Sequence, residues 1–145
     1  MLTLRPATTA DFPALVALWE RSVRATHDFL PPAVIEELRP LILEQYLPAL
    51  AVQIAERQGV PLGFVSVGGD RVEMLFIEPA ARGQGIGRLL LEHALHHQQA
   101  RAVDVNEQNC QALAFYQHLG FEVIGRSALD GEGRPFPLLH LRWPG

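Results

Sequence analysis

From Leu2 to Pro6 apolar and polar positions alternate, the two-residue period of a short strand. The period then lengthens. Phe12, Leu15, Val16, Leu18, Trp19 and Val23 form a helical stripe running to about Arg24. Thr8, Thr9 or Asp11 can cap its start, with Pro13 in the first turn. A second stripe, Ile35, Leu38, Leu41, Ile42 and Tyr46, predicts a helix opened by Pro32, kinked at Pro40 and stopped by Pro48. Three strand-like runs follow, Leu50–Glu56, Val60–Val67 and Val72–Ile77, joined by Gln58-Gly59 and Gly68-Gly69-Asp70. Turns this tight predict an antiparallel meander.

Ile86, Leu89, Leu90 and Ala94 return to helical spacing, predicting a helix from Gly85 to about Gln98. A strand over Ala102–Asn106 comes next. Strand, helix, strand in that order makes Val72–Ile77 and Ala102–Asn106 a parallel pair with a right-handed crossover. Asn109 can cap a further helix carrying Leu113, Phe115, Tyr116 and Leu119, with Gly120 just past its end. Phe121–Gly125 reads as a strand, Asp130–Arg134 as a turn, and Leu138–Trp143 as the closing strand. The sum is one mixed α/β domain over residues 1–145, with about six or seven mostly antiparallel strands and about four helices.

Composition narrows the function. About half of the 145 residues are apolar (48%), enough for one buried core. No apolar run approaches the ~18 residues of a membrane span, and the first dozen residues, which include Arg5 and Asp11, do not read as the apolar region of a secretory signal. A formal charge of −4, without a basic cluster, argues against nucleic acid as a partner. The single Cys110 rules out an internal disulfide and suits a reducing cytoplasm. Whether the protein is a monomer or a homodimer is open at this stage.

The chemistry centres on Val72–Leu91. Pro79 ends a strand, Gly83, Gly85 and Gly87 follow at every second position, and a helix starts. A glycine turn into a helix N-terminus is an anion site: free N–H groups point outward and the helix adds roughly half a positive charge. Arg82 adds a full charge. A dinucleotide-type loop needs glycine at 88, where Arg88 stands, and a Walker-type loop needs a lysine, of which the chain has none. What remains is Arg-x-x-Gly-x-Gly, Arg82 to Gly87, which resembles the pyrophosphate signature of the GNAT acetyltransferases. A second block, Asn106 to Phe121, matches the pattern Asn-x-x-Asn-x-x-Ala-x-x-Phe-Tyr-x-x-x-Gly-Phe of the same family. The chain resembles in particular small bacterial YjaB-like members, which share Ser22–Leu30, Val105–Asn109 and the Pro-x-Pro-Leu-Leu of 135–139.

The resemblance implies the GNAT fold, with a parallel strand pair splayed apart, and an acetyl-CoA-dependent N-acetyltransferase needing no metal. The acetyl group would pass directly to a primary amine of a small molecule or peptide. Backbone groups of Leu75, Phe76 and Ile77 would hold the pantetheine arm and polarise the thioester. Arg82, Gly83, Gln84, Gly85, Ile86, Gly87 and Arg88 would hold the pyrophosphate. Asn109 would bind the arm in the splay, or serve as a plain helix cap, or both. Tyr116 matches the family's general acid. A phenol near pKa 10 giving its proton to a thiolate near 8.5 is uphill by about 1.5 units, so its main role would be hydrogen-bond donation. A core tyrosine is the alternative.

The base is less determined. A lysine-like amine costs about 4.6 kcal/mol to deprotonate at pH 7, an α-amine only about 1.4. Glu73, which simple alternation places with Leu75 and Ile77, is one candidate, and Glu78 another. His27 and Asp28, beside Phe29 and between the first two helices, form a second candidate pair for proton transfer or ammonium binding, or ordinary loop packing. Asp28, Glu73 and Glu78 together favour a cationic acceptor, and the loop Asp130–Arg134 is a further candidate contact. His93 and His97, spaced i, i+4, lack the third ligand of a metal site, and Cys110 is expected to be a spectator. A non-catalytic coenzyme A sensor is the alternative to an enzyme. Tyr116 and Glu73 argue for chemistry, because binding alone needs neither.

Overall fold

The computed structural model describes all residues, Met1–Gly145. β1 (Leu2–Pro6), β2 (Ala51–Arg57), β3 (Val60–Gly68) and β4 (Arg71–Ile77) pair antiparallel in succession. Gln58 and Gly59, with φ of 53° and 76°, turn β2 into β3 as a two-residue hairpin requires. β5 (Ala102–Asn106) runs parallel to β4, and β7 (Leu138–Arg142) is antiparallel to β5. β6 (Glu122–Ser127) pairs with the outer side of β7, which gives the order β1-β2-β3-β4-β5-β7-β6. The final strand is therefore inserted inside the sheet, and β6 is an edge.

Helices cover both faces. α1 (Phe12–Thr26) and α2 (Pro32–Leu41) lie on one. Every apolar position of the predicted first stripe is buried there, against Ile54, Phe64 and Met74. α2 carries Pro40, which has no N–H for the carbonyl one turn back. The helix continues through a π-turn, Ile42–Tyr46, into a single turn, α3 (Leu47–Ala49). Pro48 lies in the opening positions of that turn, where proline is tolerated, so the stop falls at the extended Leu50 instead. α4 (Ile86–His97) and α5 (Cys110–His118) cover the other face, packing Ile86, Leu90, Leu91 and Tyr116 against Val65, Val72, Val103 and Val105.

Two irregularities position the site. Between Ser66↔Met74 and Val67↔Val72 the register slips by one, leaving Glu73 as the extra residue of a bulge in β4. Val72 consequently packs in the α4–α5 core and Met74 in the α1–α2 core. The parallel pairing of β4 with β5 stops at the same point, after only Arg71↔Ala102 and Val72↔Val103. Beyond Val72 the strands part, and the β5-facing backbone of β4 is left without a strand partner.

Candidate active site

The loop after β4 shows why the glycines are needed. Gly83 and Gly85 hold φ of 79° and 80°, the left-handed region that costs residues with a Cβ. The first backbone bond of α4 runs from Leu89 N–H to the Gly85 carbonyl, so the N–H groups of Ile86, Gly87 and Arg88 have no helical partner. Arg88 is paired with Glu92 at 2.9 Å. Arg82 is exposed and in no ion pair, a free cation beside free N–H donors.

This loop closes one end of a groove of about 430 Å³. Leu75, Phe76 and Ile77 of β4 form its floor, and Ser22, Thr26 and His27 of the α1 end form one wall. Asn109, Gln111, Ala112, Phe115 and Tyr116 form the other. The structure thus gathers nearly all of the sequence-predicted cofactor residues in one cavity. Gln84 is the exception: its side chain accepts a hydrogen bond from Arg57 at 3.2 Å, outside the groove lining. Ser22, Thr26, Ala81 and Gln111 also line the groove; Ser22 and Thr26 fall in the stretch Ser22–Leu30 and Gln111 in the block Asn106 to Phe121, but only tertiary packing shows that these side chains reach it.

Asn109 caps α5, its Oδ1 accepting from Ala112 N–H at 3.1 Å. Its amide nitrogen therefore faces His27 Nε2, at 3.4 Å. Thr26 Oγ1 donates to the Ser22 carbonyl (2.8 Å) and so accepts from His27 Nδ1, also at 2.8 Å. These partners assign the proton to Nδ1 and leave Nε2 to accept from Asn109. Burial, reinforced by the Arg82 charge and opposed by Asp28, pushes the His27 pKa down. A neutral imidazole is what the network requires. Asp28 is no partner in it: the residue is exposed and lines neither the groove nor the clefts described below. The expected His27–Asp28 couple is replaced by His27–Asn109.

Tyr116 is buried between Phe115 and Phe121, with edge-on ring centroids 5.1 and 5.3 Å away, and no side-chain hydrogen bond of the protein engages its hydroxyl, which borders the groove and the wedge between β4 and β5. Burial drives its pKa far above the ordinary phenol value. That widens the uphill gap to a thiolate and leaves hydrogen-bond donation as its accessible chemistry.

The opening between β4 and β5 is a wedge of about 170 Å³, lined by Glu73, Leu75, Asp104, Asn106, His27, Asn109 and Tyr116. A further cleft of about 430 Å³ lies under α2, walled by Trp19, Leu38, Ile42, Tyr46, Leu50, Met74 and Phe76. Its charged members are Glu73 and Glu132. Phe76 lines groove, wedge and cleft alike, and Glu73 lines both wedge and cleft. The bulge breaks the alternation that would have set Glu73 with Leu75 and Ile77; its side chain lies by Gly68, where an added Cβ would stand 3.5 Å from its Cγ. Burial, offset by Arg71 and helped by Asp104, raises the Glu73 pKa. Glu78 is spoken for, held by two Arg21 nitrogens at 2.9 and 2.6 Å. Of the three acids expected near the acceptor, only Glu73 lines this cleft, and Glu132 from the 130–134 loop lines it too, bonded to Tyr46.

Residues 48–123 match the family model described as an acetyltransferase (GNAT) domain. The chain belongs to the GNAT acetyltransferase family. A peptidyl-lysine N-acetyltransferase, YjaB, of Salmonella typhimurium strain LT2 is 44% identical over 145 residues, covering 99% of each chain. The solution structure of apo-form YjaB from Escherichia coli superposes with a TM-score of 0.89 at 42% identity, covering 100% of this chain and 99% of that one. A PaiA N-acetyltransferase from Thermoplasma acidophilum, solved in complex with coenzyme A, shares the fold with a TM-score of 0.76 at 18% identity over 99% of both chains.

As a GNAT member the protein is an N-acetyltransferase that uses acetyl-CoA. The groove fits that cosubstrate on its own residues: an unpaired Arg82 and free helix N–H groups for phosphate, and an unpaired β4 edge for an amide-bearing arm. His93 and His97 stack at 5.0 Å, and no cluster of three His, Cys, Asp or Glu side chains stands near them. No helix is long and apolar enough to cross a membrane.

Proposed function

We propose that the protein transfers the acetyl group of acetyl-CoA directly to the ε-amine of a peptidyl lysine, with both substrates bound at once. What supports this reading is that the groove and the cleft under α2 share Phe76, while the wedge beside them is lined by both Glu73 of the cleft and Tyr116 of the groove. The groove is suited to the coenzyme, and the cleft under α2 to a lysine. Its apolar walls match a four-carbon stem, and Glu73 and Glu132 match the ammonium. Two relatives that match this chain over nearly its whole length are named peptidyl-lysine N-acetyltransferases. An exposed, unpaired Cys110 suits a reducing compartment such as the cytoplasm.

Bound acetyl-CoA supplies an activated acetyl thioester and a thiol leaving group. Arg82 and the N–H groups of Ile86, Gly87 and Arg88 bind its phosphates, and the open edge of β4 aligns its arm. Glu73, its basicity raised by burial, takes the proton that a lysine ammonium must lose, a step of about 4.6 kcal/mol at pH 7 without help. A β4 N–H stabilises charge on the thioester oxygen, and Tyr116 donates a hydrogen bond to the departing sulfur.

Tyr116→Phe keeps the ring packing and removes only the donor. We expect kcat to fall about 10²-fold, with the KM for acetyl-CoA nearly unchanged. An unchanged kcat would remove Tyr116 from the mechanism. Loss of acetyl-CoA affinity with an unchanged kcat would make it a binding residue instead.

A further inference from the structure

Away from the groove, three side chains from three adjacent strands form a hydrogen-bonded series. Ser127 Oγ of β6 lies 2.6 Å from Nε2 of His140 on β7, and His140 Nδ1 lies 2.7 Å from Asp104 Oδ1 on β5. The second oxygen of Asp104 accepts from Arg71 at 2.7 Å, which fixes the carboxylate from behind. Asp104↔His140 are direct cross-strand partners, and Gly125, the partner of His140 on β6, has no side chain to cover the ring. In the neutral ring the carboxylate places the proton on Nδ1, so Nε2 is the acceptor for the Ser127 hydroxyl. Nucleophile, base and orienting acid thus stand in the order and at the distances that activate a serine. The group is reachable: the His140 side chain is 32% exposed and Ser127 is only part-buried, on an edge strand.

We propose that Ser127, with His140 and Asp104, is a second nucleophilic site that takes acyl groups from small activated esters or thioesters. Ser127 Oγ attacks the acyl carbon while its proton passes to His140 Nε2. The carbon–oxygen or carbon–sulfur bond to the leaving group then breaks, and His140 returns the proton to that group. Water repeats the exchange and frees the carboxylic acid together with the serine. Asp104 holds the ring and stabilises the imidazolium that forms in between. The proposal does not rest on the amine-acetylating reading, because none of its steps uses the groove.

The test is labelling of the intact protein by a fluorophosphonate ester, which forms an Oγ–phosphorus bond and expels fluoride, read by mass spectrometry with peptide mapping. The site predicts one stoichiometric label on Ser127, absent in Ser127→Ala and slowed about 100-fold in His140→Gln, with far-UV circular dichroism unchanged in both. Labelling of Ser127 no faster than in urea-unfolded protein, or insensitive to His140→Gln, would overturn it. Two acyl donors then separate the sources. Turnover of 4-nitrophenyl acetate with an acetyl group trapped on Ser127 indicates esters, and the same adduct from acetyl-CoA indicates thioesters. The chain has no lysine, so a stable acetyl group found on it is not an ε-amide. Amine acetylation should be unchanged in Ser127→Ala, which keeps the two activities distinct.

Discussion

His27 shows how a single side chain ties the two walls of the groove together. Its Nε2 accepts from Asn109 only while the ring is neutral, and burial keeps the folded-state pKa below the ordinary 6.5. The unfolded chain therefore takes up this proton first as pH falls. Stability is unaffected above the ordinary value and declines as pH drops from there toward the lowered one. Denaturant titrations across that window should show the decline in the native protein and a flatter curve in His27→Gln, which keeps a polar side chain at the site but has no proton to take up. Identical slopes would mean that His27 is not the group responsible. Glu73→Gln should lower kcat/KM for a lysine peptide about 10²-fold and do less to an α-amine, which needs less help in losing its proton. Equal losses would point to a charge or packing role. Arg82, Asn109 and Tyr116 were legible in the sequence because motif spacing names them. Glu132 was legible only as part of the loop Asp130–Arg134 and Ser22 only as part of the stretch Ser22–Leu30, because tertiary contacts that no local pattern encodes bring each side chain to its cleft.

At the scale of the element, the loop between β4 and α4 sets the anion site, and its conformation is the testable part. A Cβ at Gly85 would meet nothing within 4 Å, so the cost of Gly85→Ala is the left-handed backbone itself, about 1 kcal/mol. Thermal unfolding should show that loss and calorimetry a weaker grip on acetyl-CoA. Gly131→Ala, also in open space but without a positive φ, should be nearly neutral. If both behave alike, the strained turn is not what shapes the site. Most elements follow from periodicity, including the stripe of α1 and the meander of β2 to β4. The bulge at Glu73 does not, because it exists only in the register between β3 and β4. The π-turn after Pro40 likewise records a repair of lost helical bonding, of which the proline announces only the break.

Over the whole molecule, the insertion of β7 between β5 and β6 and the opening of β4 from β5 are one arrangement. β5 gives its far edge to β7 and only two residue pairs to β4, so the sheet stays continuous while its middle admits a substrate arm. The parallel pair follows from the order of elements; the place where it splits does not. An acidic chain with twelve arginines and no lysine carries no ε-amine of its own, so an acetylated lysine ε-amine can only be the peptide's. The most direct measurement is incubation of the purified protein with acetyl-CoA and a peptide that has a blocked α-amine and one lysine, followed by mass spectrometry and thiol titration. One acetyl group on the lysine Nε is expected for each coenzyme A thiol released. Acetyl-CoA bound in the groove while the peptide stays unmodified would contradict it, and would leave a coenzyme-binding module in place of an enzyme acting on lysine.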